Sequence, residues 1–176
     1  GSAPNFQGDY ITLCTCKHQM RSRTTTVEWP NQWIAGFTSR TNDGFHWLFY
    51  LAQVEWAFAS HSELWDAIPS KTRQAKSANL CRFGDLYEPR RALRRVECFD
   101  PAYYHTPISK HAHHRHSCDN RWQNDIDYRR KTGKRPKQIA SLLVCNPRLS
   151  FLWESPTIRL KEDHVRDYQR WNNLEE

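Results

Sequence analysis

Glycine is scarce in this chain, with six residues among 176, and no glycine-rich loop of the kinds that bind nucleotide phosphates is present. The sequence also lacks the Gly-x-Ser-x-Gly, His-Glu-x-x-His and zinc-deaminase motifs, which excludes the familiar patterns for those hydrolases, metalloproteases and deaminases. No apolar run approaches the roughly 18 residues of a membrane span, and no secretory signal pattern is visible. We therefore expect a cytoplasmic protein with no membrane partner and no cofactor.

The sequence also lacks the closely spaced cysteine pairs that are typical of zinc and redox sites. The six cysteines include no Cys-x-x-Cys pair, and without a secretion signal the expected state is the reduced thiol. The first two residues, Gly1 and Ser2, are typical of the scar that tag cleavage leaves. At 176 residues the chain suits one core, so we predict a single domain over residues 1–176.

Positive charge and aromatic rings are what the sequence has in excess. Lys and Arg number 26 against 19 Asp and Glu, which gives a net charge of +7, and aromatic residues make up 13% of the chain. Basic residues interleaved with aromatic ones favour nucleic acid over a membrane surface as the partner. Two arginine-rich stretches, at 19–23 and 89–97, predict phosphate contacts, with a solvated charged face as the alternative. The arginines predicted to contact phosphates there are Arg21, Arg23, Arg90 and Arg91.

The sequence of the first half of the chain predicts several strands followed by a helix. Residues 9–16 alternate as a strand, which we expect to lead into an exposed polar arm. Residues 33–37 and 45–58 predict a hairpin, because the Asn-Asp-Gly sequence between them suits a tight turn. Residues 60–68 have helical spacing behind a serine cap, and the proline that follows predicts the end of that helix.

The second half of the chain is less regular. Residues 70–98 are mostly polar and basic, and we interpret the region as a functional loop. Its segment EPRRALRRVE is either a helix fragment or an irregular basic loop. Residues 138–153 give two apolar stretches separated by Asn146 and Pro147, and residues 164–176 predict a closing helix. Strands near both ends with short helices between them favour an α+β fold with a curved mixed or antiparallel sheet.

The strand predicted over 45–58 is rich in aromatic residues, among them Trp47, Phe49, Tyr50, Trp56 and Phe58. Alternation along the strand sends one subset of these rings inward, so we expect most of them to form core. Rings near strand ends can instead form the walls of a pocket for an extruded base.

Residues 111–119, HAHHRHSCD, concentrate four histidines and a cysteine. Their spacing permits a zinc site but is not diagnostic of one, since so many histidines always include an acceptable pair. The imidazoles can also contact phosphates and bases, or the stretch can be a solvated loop. If a metal is bound, its ligands would be His111, His114, His116 and Cys118. The basic neighbours that would contact phosphates are Arg115 and Arg121.

Six sequence blocks, taken in order, are similar to those of a known family. The blocks are SAPNFQGDYITLCTCKHQMR, WIAGFTS, WLFYLAQVEWAF with SELWD behind it, GDLYEP, SKHAHHRHSCDN and IASLLVCNPRLSFLW. Together they resemble the nucleotide-modification-associated domains of bacteria and phages, the second type in particular, which are associated with modified DNA bases. The hairpin and the strand-then-helix block also resemble PUA-like folds such as EVE and ASCH domains.

This resemblance implies a curved sheet or partly open barrel of PUA-like type with short flanking helices. It implies a domain that binds nucleic acid, DNA rather than RNA, or a nucleotide, and that recognises a modified or flipped base. The implied base pocket consists of Trp33, Ser39, Trp47, His111, His114 and Asp119. The alternative is an enzyme acting on a nucleotide or base, in which acid–base groups or metal ligands come from the histidine-rich segment. Those groups would be His111, His114 and Asp119.

Overall fold

The computed structural model describes residues 4–38, 43–78, 85–106, 122–132 and 135–161. The strands are β1 (Ile11–Leu13), β2 (Trp33–Phe37), β3 (Phe45–Phe58), β4 (Arg129–Thr132), β5 (Arg135–Ile139), β6 (Leu142–Leu152) and β7 (Arg159–Lys161). The helices are α1 (His18–Arg21), α2 (His61–Ala67), α3 (Ser70–Ala78) and α4 (Gln123–Ile126), and a 3-10 turn lies at Pro101–Tyr103. Within the described ranges, no helix is both long and apolar enough to cross a bilayer.

The predicted α+β fold with a curved sheet is confirmed. β1, β6, β3 and β2 are hydrogen-bonded in that order, all antiparallel, and β7 pairs with the first residues of β3. This five-stranded sheet curls into a half-barrel consistent with the PUA-like type, flanked by short helices. β4 and β5 form a separate two-stranded ladder.

The β2–β3 hairpin is also confirmed. Gly44 in its turn has a φ of 80°, which a residue without a Cβ adopts at little cost. The side chain of Asp43 accepts a hydrogen bond of 3.1 Å from the backbone N–H of Phe45, as an Asx turn requires.

The first half of β6 is buried on both faces. One face packs inside the curled sheet and the other packs against α2, so this segment belongs to two apolar clusters. Inside the sheet are Leu13, Ile34, Ala52, Val54, Leu143 and Cys145. On the α2 side are Cys14, Leu64, Ile68, Leu86, Leu142 and Val144.

The predicted helix over 60–68 is confirmed by α2 and its cap. The Ser60 hydroxyl accepts from the Glu63 N–H at 3.3 Å, and the Glu63 carboxylate accepts from the Ala59 N–H at 2.9 Å. These reciprocal bonds satisfy N–H groups that a helix N-terminus otherwise leaves without partners. α2 stops at Ala67, and Ile68 takes an extended conformation before Pro69.

Two sequence predictions are wrong. The polar stretch after β1 is not an exposed arm, because α1 buries His18 and Arg21. Residues 70–98 are not wholly irregular, because α3 occupies their start and buries Lys76, whose ammonium donates to the carbonyls of Asn5 and Tyr10. In each case a long cationic side chain finds buried backbone acceptors, which hydropathy patterns do not reveal.

Within residues 138–153, β6 contains most of both apolar stretches, and the bulge that includes Asn146 and Pro147 separates them. The helix predicted over 164–176 lies outside the described residues.

Gly36 permits close packing between β2 and the ring of Tyr50. A Cβ at this position would lie 1.6 Å from a ring carbon of Tyr50, which is itself buried. We predict that Gly36→Ala lowers the free energy of unfolding by about 1–3 kcal/mol through overpacking. Urea denaturation measures this, with the exposed neighbour Ala35→Ser as the control. Equal stability of the two variants would contradict the packing described.

Candidate functional site

Two successive bulges, one in each strand, interrupt the ladder between β3 and β6. Ala52 pairs with Ser150, but Val54 pairs with Cys145, so four residues of β6, 146–149, lie opposite a single residue of β3. The next pair joins Trp56 to Val144, which leaves residue 55 of β3 without an opposite partner. Bulges of this kind redirect side chains and occur often beside functional sites.

The β6 bulge is held by Asn146. Its side-chain Oδ1 accepts from the Arg148 N–H at 2.9 Å, and its backbone carbonyl accepts from the Ser150 hydroxyl at 2.6 Å. Pro147, which lies between them, has no N–H to give to a ladder. The bulge is therefore a folded turn inserted into the strand.

A cavity of about 250 Å³ opens to solvent at these bulges. The rings of Tyr10 and Trp56 lie 5.5 Å apart at 55° and provide aromatic surface, and 40% of Trp56 is exposed. The volume is below the roughly 300–1,000 Å³ of pockets for drug-sized ligands, so the cavity suits one ring system rather than a whole nucleotide. Its lining residues are Tyr10, Glu55, Trp56, Asn146, Pro147 and Arg148.

The polar groups around the rings have complementary abilities. The Glu55 carboxylate accepts hydrogen bonds, and among the described residues no salt bridge occupies it. Asn146 uses its amide oxygen within the bulge, so its amide nitrogen is the group that it can offer to a ligand. Arg148 adds an exposed guanidinium at the edge. An aromatic wall with an acceptor, a donor and a cation can hold a flat polar ring attached to a phosphate.

A second depression, of about 420 Å³, lies along α3. Its aromatic residue is Trp65, but the Arg73 guanidinium lies 5.4 Å from that ring and also donates to the Trp65 carbonyl at 3.0 Å. A base would have to displace this arginine to stack on the ring. The cavity at the bulges is therefore the better candidate.

The two described residues of the predicted base pocket, Trp33 and Trp47, do not lie close together. Trp33 pairs with Gln53 of β3, whereas Trp47 lies six residues away along that strand, or about 20 Å at roughly 3.3 Å per residue. Trp47 is instead near Arg159, whose guanidinium is 5.7 Å from its ring. The remaining predicted pocket residues, Ser39, His111, His114 and Asp119, lie outside the described residues.

The possible zinc ligands His116 and Cys118 also lie outside the described residues, together with His111 and His114. Among the residues that the structure does describe, no group of three or more potential metal ligands comes together. The described cysteines, Cys14, Cys16, Cys98 and Cys145, are free thiols.

Arg21 is not a phosphate-binding residue, which corrects the sequence prediction. It is fully buried, and its guanidinium donates to the carbonyls of Cys16 at 2.7 Å, Ala140 at 3.0 Å and Ser141 at 2.6 Å. Burial lowers its pKa. A side chain that ties α1 to the start of β6 cannot also reach a nucleic acid.

The other arginines predicted to contact phosphates differ in how accessible their guanidinium groups are. Arg23 and Arg90 are exposed, although Arg90 donates to the Tyr104 carbonyl at 3.0 Å. Arg91 forms hydrogen bonds of 2.8 and 3.0 Å to Glu97, and the pKa of that carboxyl is held well below its ordinary value by Arg91 and Arg94. Part of the charge at 89–97 is therefore neutralised locally. Arg115 and Arg121 lie outside the described residues.

A buried polar cluster lies beneath α1, α2 and α4. His18 Nε2 lies 3.0 Å from Asp125 Oδ1, and the Tyr87 hydroxyl donates to Asp125 Oδ2 at 2.9 Å. His61 Nδ1 accepts from the Tyr87 N–H at 3.3 Å. All four side chains are buried, so this cluster joins elements of the fold.

Comparisons with protein-family models, with curated proteins and with solved structures find no match for this chain. The family that the order of sequence blocks resembles therefore remains a prediction. The cavity residues that sequence reasoning missed are Tyr10, Glu55, Asn146 and Arg148. Two features of the sequence could have indicated this site. One is the Asn-Pro pair inside an apolar run, and the other is the single glutamate inside the long apolar strand.

Acid should destabilise the fold through His61. Burial lowers its pKa from 6.5 to about 3, so below pH 6.5 the unfolded chain binds a proton that the folded chain excludes. The stability contributed by neutral His61 is thus present above pH 6.5 and is lost as pH falls toward 3, by about 1.4 kcal/mol per pH unit. We predict that His61→Gln flattens this slope in urea unfolding between pH 6.5 and 4.5, relative to the unsubstituted protein. Identical slopes would refute the assignment.

Arg21 and Arg23 form a matched pair for testing the corrected role. Arg21→Met leaves buried carbonyls without donors, so we predict that it lowers the free energy of unfolding by about 2–4 kcal/mol. Arg23 is exposed, so Arg23→Met should lower the free energy of unfolding by much less than Arg21→Met. Thermal and urea unfolding measure both, and a small effect at Arg21 would contradict its buried role.

Proposed function

We propose that this chain is a nucleic-acid-binding domain that recognises a modified or extruded base in the cavity between the two bulges. The observation that carries the proposal is the composition of that cavity: two aromatic rings, a carboxylate, an amide and a guanidinium around a space of about 250 Å³. A base pocket requires stacking surface and a few polar groups that contact the base edge.

Stacking supplies most of the expected affinity. Trp56 is exposed and its ring is supported by Tyr10, so a base can contact it without first displacing another side chain. Base–aromatic stacking contributes about 1–3 kcal/mol per base. It does not discriminate strongly between bases, because every base has a π-face.

Selectivity would come from Glu55 and Asn146. A carboxylate accepts from an exocyclic amino group, as in cytosine, and an amide nitrogen donates to a ring nitrogen or carbonyl of the same edge. We therefore propose an amino-bearing base, cytosine or adenine, as the ligand. Because the cavity is open to solvent, a substituent on the base can extend outward.

The choice of nucleic acid rests on charge, and the choice of a modified base rests on the sequence blocks. The chain has a net charge of +7, and Arg148 lies at the cavity edge, where a phosphate of the bound nucleotide can reach it. The resemblance to nucleotide-modification-associated domains suggests modified DNA in bacterial or phage systems. We favour binding over catalysis because the described residues that line the cavity supply stacking surface and hydrogen-bonding groups.

A panel of single-stranded DNA octamers tests this function. Each octamer has one central cytosine, 5-methylcytosine, 5-hydroxymethylcytosine, adenine or N6-methyladenine, and affinity is measured by fluorescence anisotropy at two salt concentrations. We expect at least one modified base to bind more tightly than its unmodified parent, with weaker binding at high salt. No binding to any member would overturn the proposal.

Variants of the cavity then localise the site. We predict that Trp56→Ala weakens binding of the preferred octamer by about tenfold or more, since it removes one stacking partner. Glu55→Gln should reduce the preference between bases with little effect on folding. Matched controls are Ile158→Ala and Glu88→Gln, which are exposed and lie away from the cavity. Equal effects of the cavity variants and the controls would place the binding site elsewhere.

A further inference from the structure

The outer face of the curled sheet exposes a row of aromatic and apolar side chains. We define the outer face by Trp33, Leu51 and Phe151, since the side chains that alternate with them on β2 and β3 pack in the core. Ala35 of β2 pairs with Leu51 of β3, which pairs with Phe151 of β6, so the face crosses three strands. Trp33 is 47% exposed and Phe151 is 46% exposed.

The outer face is continuous with the cavity. Trp56 pairs with Val144, whose side chain packs on the α2 side of β6, whereas the neighbouring Leu143 packs inside the sheet. Trp56 therefore lies on the same side of the sheet as Leu51, five residues away, or about 17 Å at roughly 3.3 Å per residue. Arg148 in the β6 bulge lines the cavity and precedes Phe151 by three residues in the same strand.

Two rings of this face are arranged in parallel. Phe151 and Trp153, at positions i and i+2 of the chain, stack with ring centroids 6.2 Å apart and planes at 20°. Stacked bases along one nucleic-acid strand are separated by about 3.4 Å, so a base between two rings needs about 6.8 Å. A small opening of this pair is enough to admit one base, and each ring also has an exposed surface on which a base can stack.

We propose that the outer face, from Trp33 to Phe151 and Trp153, binds single-stranded nucleotides that flank the base held in the cavity. This inference rests on the proposed function and extends it from one base to a single-stranded segment. The occupant is single-stranded nucleic acid because the face joins exposed rings to the cationic Arg148, in a chain of net charge +7. Duplex DNA keeps its bases stacked on each other and so cannot use the rings.

The length of the ligand tests the inference. The probes are the preferred octamer, the trinucleotide that keeps only its three central nucleotides, and the octamer annealed to its complement. We expect the single-stranded octamer to bind at least about fivefold more tightly than the trinucleotide, because stacking of one flanking base contributes 1–3 kcal/mol, or about 5- to 150-fold. The duplex should bind more weakly than the single strand.

Substitutions on the two faces of the curled sheet provide a matched comparison. Phe151→Ala and Trp33→Ala should weaken octamer binding by about fivefold or more and leave trinucleotide binding unchanged. The control is Leu152→Ala, since Leu152 is 54% exposed but pairs with Tyr50 on the opposite face. Circular dichroism and thermal unfolding confirm that each variant is folded.

The outcomes separate the two proposals. If the trinucleotide binds as tightly as the octamer, or if Phe151→Ala and Leu152→Ala behave alike, the outer face is not a nucleic-acid surface, while the base cavity still stands. If Trp56→Ala weakens the trinucleotide and the octamer, and Phe151→Ala weakens only the octamer, both proposals are supported. If neither probe binds, both fail.

Discussion

The burial of β6 on both faces is the constraint on which the rest of the fold depends. Leu142 and Val144 pack toward α2, and Leu143 and Cys145 pack inside the sheet. Backbone groups in such a segment have no access to water, so both edges of the strand must be hydrogen-bonded. β1 and β3 supply those bonds. The strand buried on both faces therefore lies between two partners, β1 and β3, and not at an edge of the sheet.

The candidate site lies where this constraint ends. After Cys145 the chain becomes progressively exposed. A break in the ladder at Asn146 and Pro147 therefore leaves no buried backbone N–H or C=O group without a hydrogen bond. A break in the ladder a few residues earlier would leave buried backbone groups without hydrogen bonds and would destabilise the fold. The extra residues of β6 and the unpaired Glu55 of β3 open the sheet at this boundary, and the space that they leave is the cavity. Beyond the cavity, the outer face of the sheet can expose aromatic rings because these rings are not needed to complete either of the two apolar clusters.

Positive charge is divided between structure and surface. Arg21 and Lys76 are buried and donate to backbone carbonyls, and the side chain of Asp85 is held by Asn5 and Thr12 in the same interior. The count of 26 lysines and arginines therefore overstates the number of cationic side chains that a nucleic acid can contact. The interior charges are tolerated because each has fixed acceptors or donors, and an unsatisfied buried charge would cost several kcal/mol.

The sequence alone determined the α+β class, the β2–β3 hairpin and the capped helix α2, since these depend on local turn chemistry, alternation and caps. It did not determine the site. Trp33 and Trp47 have the residue type that a base pocket requires, but the register of β3 separates them, and only the bulges bring Glu55 and Trp56 beside Asn146. Arginine at position 21 has the same local signal as one at position 23, and tertiary packing decides which is buried. Register and burial are long-range properties, so the tertiary structure had to decide them.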